Sequence, residues 1–164
     1  MNIRLVVTGK TIKGFVFDGT EEYIKRLKHY TNFTVDVIND VKNAKNLSPT
    51  QLKTAEGVNL LAFLEKNQLL SNPAAKIILL DEHGAEFTSK EFASVLQKNM
   101  NLGIKNLVFI IGGAYGFPQE IKDRFKDKIS VSRMTFSHQM IRLLFTEQLY
   151  RAFTILKNEP YHNE

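Results

Sequence analysis

Two stretches of this chain bring together residue types that can do chemistry. Gly112-Gly113-x-x-Gly116 follows an apolar run and lets backbone approach a ligand closely. It lacks the dinucleotide spacing, and Ser132 stands where an acidic residue about 20 positions on would hold a ribose. A tight turn explains the same glycines. Leu80-Asp81-Glu82-His83-Gly84 follows another apolar run and reads either as an acid–base cluster or as a polar turn after a strand. Gly9-Lys10-Thr11 has the end of a phosphate-binding loop, but the first glycine of that motif would fall at Arg4, so the motif is rejected. The four histidines, His29, His83, His138 and His162, do not pair at metal-ligand spacing, which argues against a zinc site. No serine lies in a nucleophile elbow.

Near the C-terminus, Glu147 and Arg151 stand four apart and can form an ion pair on a helix. Arg142 and Arg151 are nine apart and point in opposite directions, at about 100° per residue. They cannot clamp one phosphate from one face. The end of the chain, Pro160-Tyr161-His162, carries an aromatic and a titratable group where tails are usually polar.

The elements that must position these residues alternate along the chain. Ile3 to Thr8 reads as a short strand closed by Gly9. Asp18 is read as the N-cap of a helix through about His29, and Phe33 to Ile38 alternates as a half-buried strand. Asn39 to Leu47 is polar and reads as a mobile loop. Ser48-Pro49 opens a helix to about Lys66, with Gly57 inside it suggesting close backbone approach. Ile77 to Leu80 and Leu107 to Ile111 are continuous apolar runs, as expected of strands covered on both faces. Between them Thr88-x-x-Glu91 has capping-box spacing and opens a helix to about Met100. A short helix from Pro118 to about Phe125, a strand from Ile129 to Ser132 and a helix from about His138 to Leu156, capped by Ser137, complete the chain. Ile141, Phe145, Leu149, Ala152 and Leu156 form the core stripe of that helix, leaving Met140, Leu144 and Phe153 outside it. Five strands alternating with five helices predict an α/β sandwich with a mostly parallel sheet, over residues 1–164 as a single domain.

Composition narrows the class. With 164 residues, 43% hydrophobic and 24% charged, the chain is neither disordered nor a multi-pass membrane protein. No apolar run approaches the roughly 20 residues of a membrane span, and no leader pattern opens the chain, so a cytoplasmic protein is expected. There is no cysteine, which excludes disulfides, thiolate catalysis and Cys-based metal sites. The formal charge is +5, and residues 1–30 and 121–164 each carry an excess of three cations. A fold that joins the ends would make one basic surface suited to a polyanion. Solvated helix faces are the alternative.

Four linked motifs then follow one another in order. They are Leu80-Asp81-Glu82-x-Gly84; Phe109 to Ala114 with Gly116; Ser130-Val131-Ser132-x-Met134-Thr135-Phe136-x-His138-Gln139-x-x-Arg142; and Glu147 to Phe153 with Ile155, then Tyr161-His162. With Val7-Thr8-Gly9-Lys10 and Glu56-Gly57 they resemble the bacterial ribosomal RNA large subunit methyltransferase H family, of the SPOUT class, over nearly the whole chain. The resemblance implies an α/β fold with a C-terminal trefoil knot and a homodimer. The implied reaction moves a methyl group from S-adenosylmethionine to N3 of a pseudouridine in 23S rRNA, with the assembled 70S ribosome as substrate and no metal. The positions matching the cofactor site are Leu80, Gly112, Val131, Ser132, Arg133, Met134, Thr135 and Phe136. Those matching residues tied to catalysis or RNA binding are Arg151, Tyr161 and His162, with the tail reaching a partner subunit's site. His83 and the Asn163-Glu164 tail depart from the family, where an arginine or other polar residue and a basic residue are common. A non-catalytic ribosome-binding or assembly module on the same fold is the alternative function.

Overall fold

Leu107, Phe109 and Ile111 point to one apolar cluster and Val108 and Ile110 to another. That alternation on a single fully buried strand places it at the middle of a sheet covered on both faces. The computed structural model describes residues 1–163. It contains β1 (Asn2–Thr8), α1 (Phe15–Leu27), β2 (Asn32–Ile38), α2 (Pro49–Lys66), β3 (Ala75–Glu86), α3 (Ser89–Asn101), β4 (Asn106–Ile111), α4 (Gln119–Arg124), β5 (Lys128–Ser130) and α5 (Met140–Leu156). The five strands form one sheet in the order β2-β1-β4-β3-β5, and every pairing is parallel.

The first face is covered by α1, α3 and α5, whose Leu27, Phe92, Leu96, Phe145 and Leu149 pack on Ile3, Leu5 and Phe109. The second is covered by α2 and α4, through Leu60, Leu64 and Ile121 on Val6, Leu79 and Val108. The connection from β3 to β4 therefore runs over one face and that from β4 to β5 over the other. A crevice opens where the two diverge, at the carboxyl ends of β3 and β4.

The capping boxes form as the spacing predicts: Ser48 with Gln51, and Thr88 with Glu91. Gly57 meets α4 closely, since a Cβ there would lie 2.7 Å from Pro118. Several boundaries differ from expectation; β5 ends at Ser130 rather than Ser132, and α5 starts at Met140 with Gln139 rather than Ser137 in the N-cap position. The first helix starts at Phe15 rather than at an Asp18 cap; Gly14 precedes it with no side-chain bond, and Asp18 lies in the first turn. The polar stretch before α2 contains a 3-10 turn, Ala44–Asn46. The strand read as Ile77 to Leu80 continues to Glu86 by looping out residues 81–84, so that Leu80 and Ala85 both pair with Ile129. Gly84 makes this crossing possible, because a Cβ there would lie 2.5 Å from the Ile129 amide nitrogen. Phe153, left outside the core stripe by periodicity, is buried against Tyr30 in the turn between α1 and β2.

The two ends of the chain do meet. Arg142 of α5 is 1% exposed and donates to the Thr8 carbonyl at 2.6 Å, the Gly9 carbonyl at 3.0 Å, Thr11 Oγ1 at 3.0 Å and the His138 carbonyl at 3.2 Å. Removing the side chain would leave the buried Gly9 carbonyl and three half-buried acceptors without this donor. Arg142→Met keeps most of the volume and loses every bond. Chemical denaturation should show it destabilised by on the order of 3 kcal/mol; a loss below about 1 kcal/mol would mean that water replaces the guanidinium.

Candidate functional site

A cavity of about 320 Å³ fills the crevice. Three segments build it. The end of β3 and its extruded loop supply Leu80, Asp81 and Glu82, the turn after β4 supplies residues 112–117, and the end of β5 with the segment that follows supplies Ser130, Val131, Ser132, Met134, Thr135 and Phe136. His138 and Ile141, at the start of α5, close one side. The cofactor positions expected at Leu80, Gly112, Val131, Ser132, Met134, Thr135 and Phe136 are thus brought to one wall set. Arg133 is exposed and does not line the cavity.

Short-range bonds fix each segment. The Gly116 amide donates to the Gly113 carbonyl at 3.0 Å, closing the glycine turn. A Cβ on Gly112 would approach the Gly116 carbonyl carbon to 3.1 Å, so any side chain at Gly112 presses on the turn's own backbone. Ser130 Oγ donates to the Ser132 carbonyl at 2.8 Å, and Ser132 Oγ accepts the Met134 amide at 2.9 Å. Asp81 accepts the His83 amide at 3.0 Å and pairs with Lys122 of α4 at 2.8 Å. Burial pushes the Asp81 carboxyl up, but the Lys122 and His83 bonds outweigh it and hold its pKa below the usual value. Burial and the nearby Arg142 charge lower the pKa of His138, which keeps its ring neutral at neutral pH. No group of three or more His, Asp or Glu able to hold a metal occurs among the described residues.

Arg151, Tyr161 and His162 lie elsewhere in the chain. Ile141 touches the cavity and Arg151 is ten residues further along the same helix, about 15 Å away at 1.5 Å per residue. The Arg151 guanidinium lies over the Tyr161 ring, 4.7 Å from its centroid, and binds Glu147 at 2.6 Å. Tyr161 also meets Tyr150 edge-on at 4.8 Å. Burial, the Tyr23 hydroxyl and the Glu147 charge push the Tyr161 phenol up, so it stays protonated. Both ring nitrogens of His162 are closed off from solvent within the chain. Tyr161 and His162 are therefore docked rather than frayed.

Residues 1–162 match the model of the family described as "Predicted SPOUT methyltransferase". The chain belongs to the SPOUT methyltransferase family. Its curated relatives include proteins named "Ribosomal RNA large subunit methyltransferase H" from Porphyromonas gingivalis W83, 52% identical over all 164 residues of both chains, and Flavobacterium psychrophilum, 51% identical with the same coverage. A protein of that name from Parabacteroides distasonis is 50% identical, again over the full length of both.

In this SPOUT methyltransferase the structure adds residues that the sequence reading passed over. Lys122 lines the cavity, as does His138, which the third family motif contains without an assigned role, and Glu56 of α2 packs its carboxylate against Gly113. No local pattern marks Lys122, since its partner Asp81 comes from another element. Glu56 stands in the Glu56-Gly57 pair, which the family pattern did contain. Burial, with a smaller contribution from the Asp40 charge, raises the Glu56 pKa. The unfolded chain therefore releases this proton at lower pH than the folded protein does. Stability falls as pH rises from the ordinary carboxylate value through the raised folded value, and stays reduced above it. Glu56→Gln should raise the melting temperature at pH 7 and leave it nearly unchanged at pH values below the ordinary carboxylate range. An equal shift at both pH values would contradict an ionised, desolvated Glu56.

Proposed function

We propose that the protein is an S-adenosylmethionine-dependent methyltransferase that modifies N3 of a pseudouridine in 23S rRNA, with the assembled 70S ribosome as its substrate. The observation that carries this is the cavity at the diverging ends of β3 and β4, in a chain about half identical to proteins named for ribosomal RNA methylation. Its volume lies at the lower end of the roughly 300–1,000 Å³ of small-molecule sites. The lining suits a thioether-bearing nucleoside: apolar Leu80, Val131 and Met134, hydroxyls of Ser132 and Thr135, and backbone exposed at Gly112. Arg133, beside the cavity but exposed, is assigned to the RNA rather than to the donor.

When bound, the donor supplies an electrophilic methyl group from its sulfonium, and no metal is needed. The N3–H of a uracil-type ring is mostly protonated at neutral pH. His162 takes that proton as general base, and Arg151 stabilises the developing negative charge on the ring. Tyr161, held protonated, orients the arginine. His162 must turn out of its covered position to act, while Tyr161 stays bound to Glu147.

The separation between Arg151 and the cavity favours a homodimer in which one subunit's tail serves the other's cavity. Exposed apolar residues support this. Ile12 is 68%, Phe15 72% and Met134 73% exposed, and all lie in segments that leave the carboxyl edge of the sheet. A second copy covering them brings the tail within reach. Sedimentation at micromolar concentration should show a dimer; a monomer alone would remove the shared site. Residues 1–164 act as one domain in this reading. The close crossing of Gly84 on Ile129 supports threading of the C-terminal segment as a trefoil knot.

The basic surface contributes by charge. Arg4, Arg26, Lys122, Lys126 and Arg151 are held in ion pairs, whereas Lys10, Lys13 and Arg133 make none among the described residues. Those three flank the cavity edge or the exposed apolar residues and suit ribosomal phosphates. Such a protein works in the cytoplasm; no described helix is long and apolar enough to cross a membrane. Digesting ribosomes after incubation with the protein and the donor should yield N3-methylpseudouridine. Tight ribosome binding without that nucleoside would identify a binding or assembly module.

A further inference from the structure

We infer that Glu147 is a positioning residue for methyl transfer, holding the Arg151 guanidinium and the Tyr161 hydroxyl as one preformed unit. The inference rests on the proposed roles of Arg151 and Tyr161. A single carboxylate oxygen, Glu147 Oε1, accepts from Arg151 Nη2 at 2.6 Å, from Arg151 Nε at 3.1 Å and from the Tyr161 hydroxyl at 3.1 Å. The other oxygen, Oε2, accepts from Gln148 Nε2 at 2.7 Å. Because Tyr161 donates to Glu147, its oxygen accepts from Tyr23, whose hydroxyl is 3.1 Å away.

An exposed i, i+4 ion pair on a helix contributes little to stability and leaves both side chains mobile. This one differs in geometry. Its side chains are only 25% and 18% exposed, and three donors converge on one oxygen. The guanidinium is pinned on two sides, by Glu147 through its Nε and Nη2 and by the Tyr161 ring beneath it. Nη1 takes no part in the Glu147 pair. A charge-assisted fork of this kind fixes direction as well as distance. Catalysis gains from a donor already aimed at the developing charge, because no reorganisation is then needed at the moment of reaction.

Glu147 also ties the tail to α5. Proline, tyrosine and histidine at 160–162 follow the helix end, and the Tyr161 hydroxyl joins them to Glu147 and to Tyr23 of α1. One carboxylate thus sets the arginine and the aromatic anchor that precedes His162. Its effect on rate should therefore depend on both partners being present, which a purely structural ion pair would not require.

The test measures single-turnover methyl transfer at saturating 70S ribosomes lacking the modification, together with calorimetric donor affinity and thermal stability. The variants are Glu147→Ala and Glu147→Gln, each in the wild-type and the Arg151→Ala/Tyr161→Phe backgrounds. Glu147→Ala should slow the rate about 10- to 100-fold, the scale typical of groups that orient a functional side chain, with donor affinity changed less than about twofold. Glu147→Gln keeps an oxygen acceptor and the side-chain volume, and should fall between Glu147→Ala and wild type. In the double-variant background either change should cost less than about twofold further. Equal losses in both backgrounds, or full rate for Glu147→Ala, overturn the inference. If Arg151→Ala alone is fully active, the role of Arg151 fails and that of Glu147 fails with it. If Arg151→Ala is slow and Glu147→Ala is not, only the positioning role is lost. Should Glu147→Ala not fold, Glu147→Gln decides by the same comparison.

Discussion

His162→Ala is expected to lower the single-turnover methylation rate at saturating ribosome by about 10²–10⁴-fold, the range for a positioned acid–base group. Donor affinity should barely change, because no part of the tail lines the cavity of its own chain. The covered ring nitrogens of His162 sharpen the expectation. A histidine that only anchored the tail would, on removal, weaken ribosome binding and leave the saturated rate in place. A wild-type rate at saturation would show that hydroxide or solvent takes the N3 proton.

Gly112→Val should reduce S-adenosylmethionine affinity by at least about 100-fold, or roughly 2.7 kcal/mol. Two effects act together. The side chain enters the space where backbone faces the ligand, and its Cβ also crowds Gly116 in the same turn at about 3.1 Å. Gly112→Ala separates them, since a methyl group needs the turn to give by only a few tenths of an ångström. Its affinity loss should be intermediate, with the circular dichroism spectrum unchanged. Unaltered calorimetric binding by Gly112→Val would remove this glycine from the donor site.

Local patterns revealed the layers but not the joints. The apolar runs at Ile77 to Leu80 and Leu107 to Ile111 stand out because both faces of β3 and β4 are covered. Ser48 and Thr88 announce their helices because capping is decided within four residues. The start of α1 was displaced because Gly14 gives no side-chain cap and Asp18 lies in the first turn. The extruded loop at 81–84 had no local signal. Asp-Glu-His-Gly reads as the end of a strand, and only the pairing of Ala85 and Glu86 with β5 shows that the strand resumes. Phe153 looked unpartnered on its helix until Tyr30, from a distant element, covered it.

The site divides in the same way. A glycine turn after an apolar strand is visible as a place where backbone can meet a ligand, but which of Gly112, Gly113 and Gly116 faces the donor is implied only by the resemblance. Residues 131–136 carry no such mark; their assignment came from resemblance. The structure brings most of them to the cavity and leaves Arg133 outside. The Asp81–Lys122 pair and the Glu56 carboxylate depend on contacts between elements, which spacing along the chain cannot show. The Glu147–Arg151 pair was legible as an i, i+4 contact, but the Tyr161 hydroxyl on the same oxygen required the folded tail.

The most direct test of the account is transfer of tritium from methyl-labelled S-adenosylmethionine to ribosomes that lack the modification, with free 50S subunits measured alongside. The account predicts label in 23S rRNA of the 70S particle, recovered as N3-methylpseudouridine, with far less in free 50S subunits. A folded protein that binds 70S ribosomes yet transfers no label, or labels a different nucleoside, would contradict it.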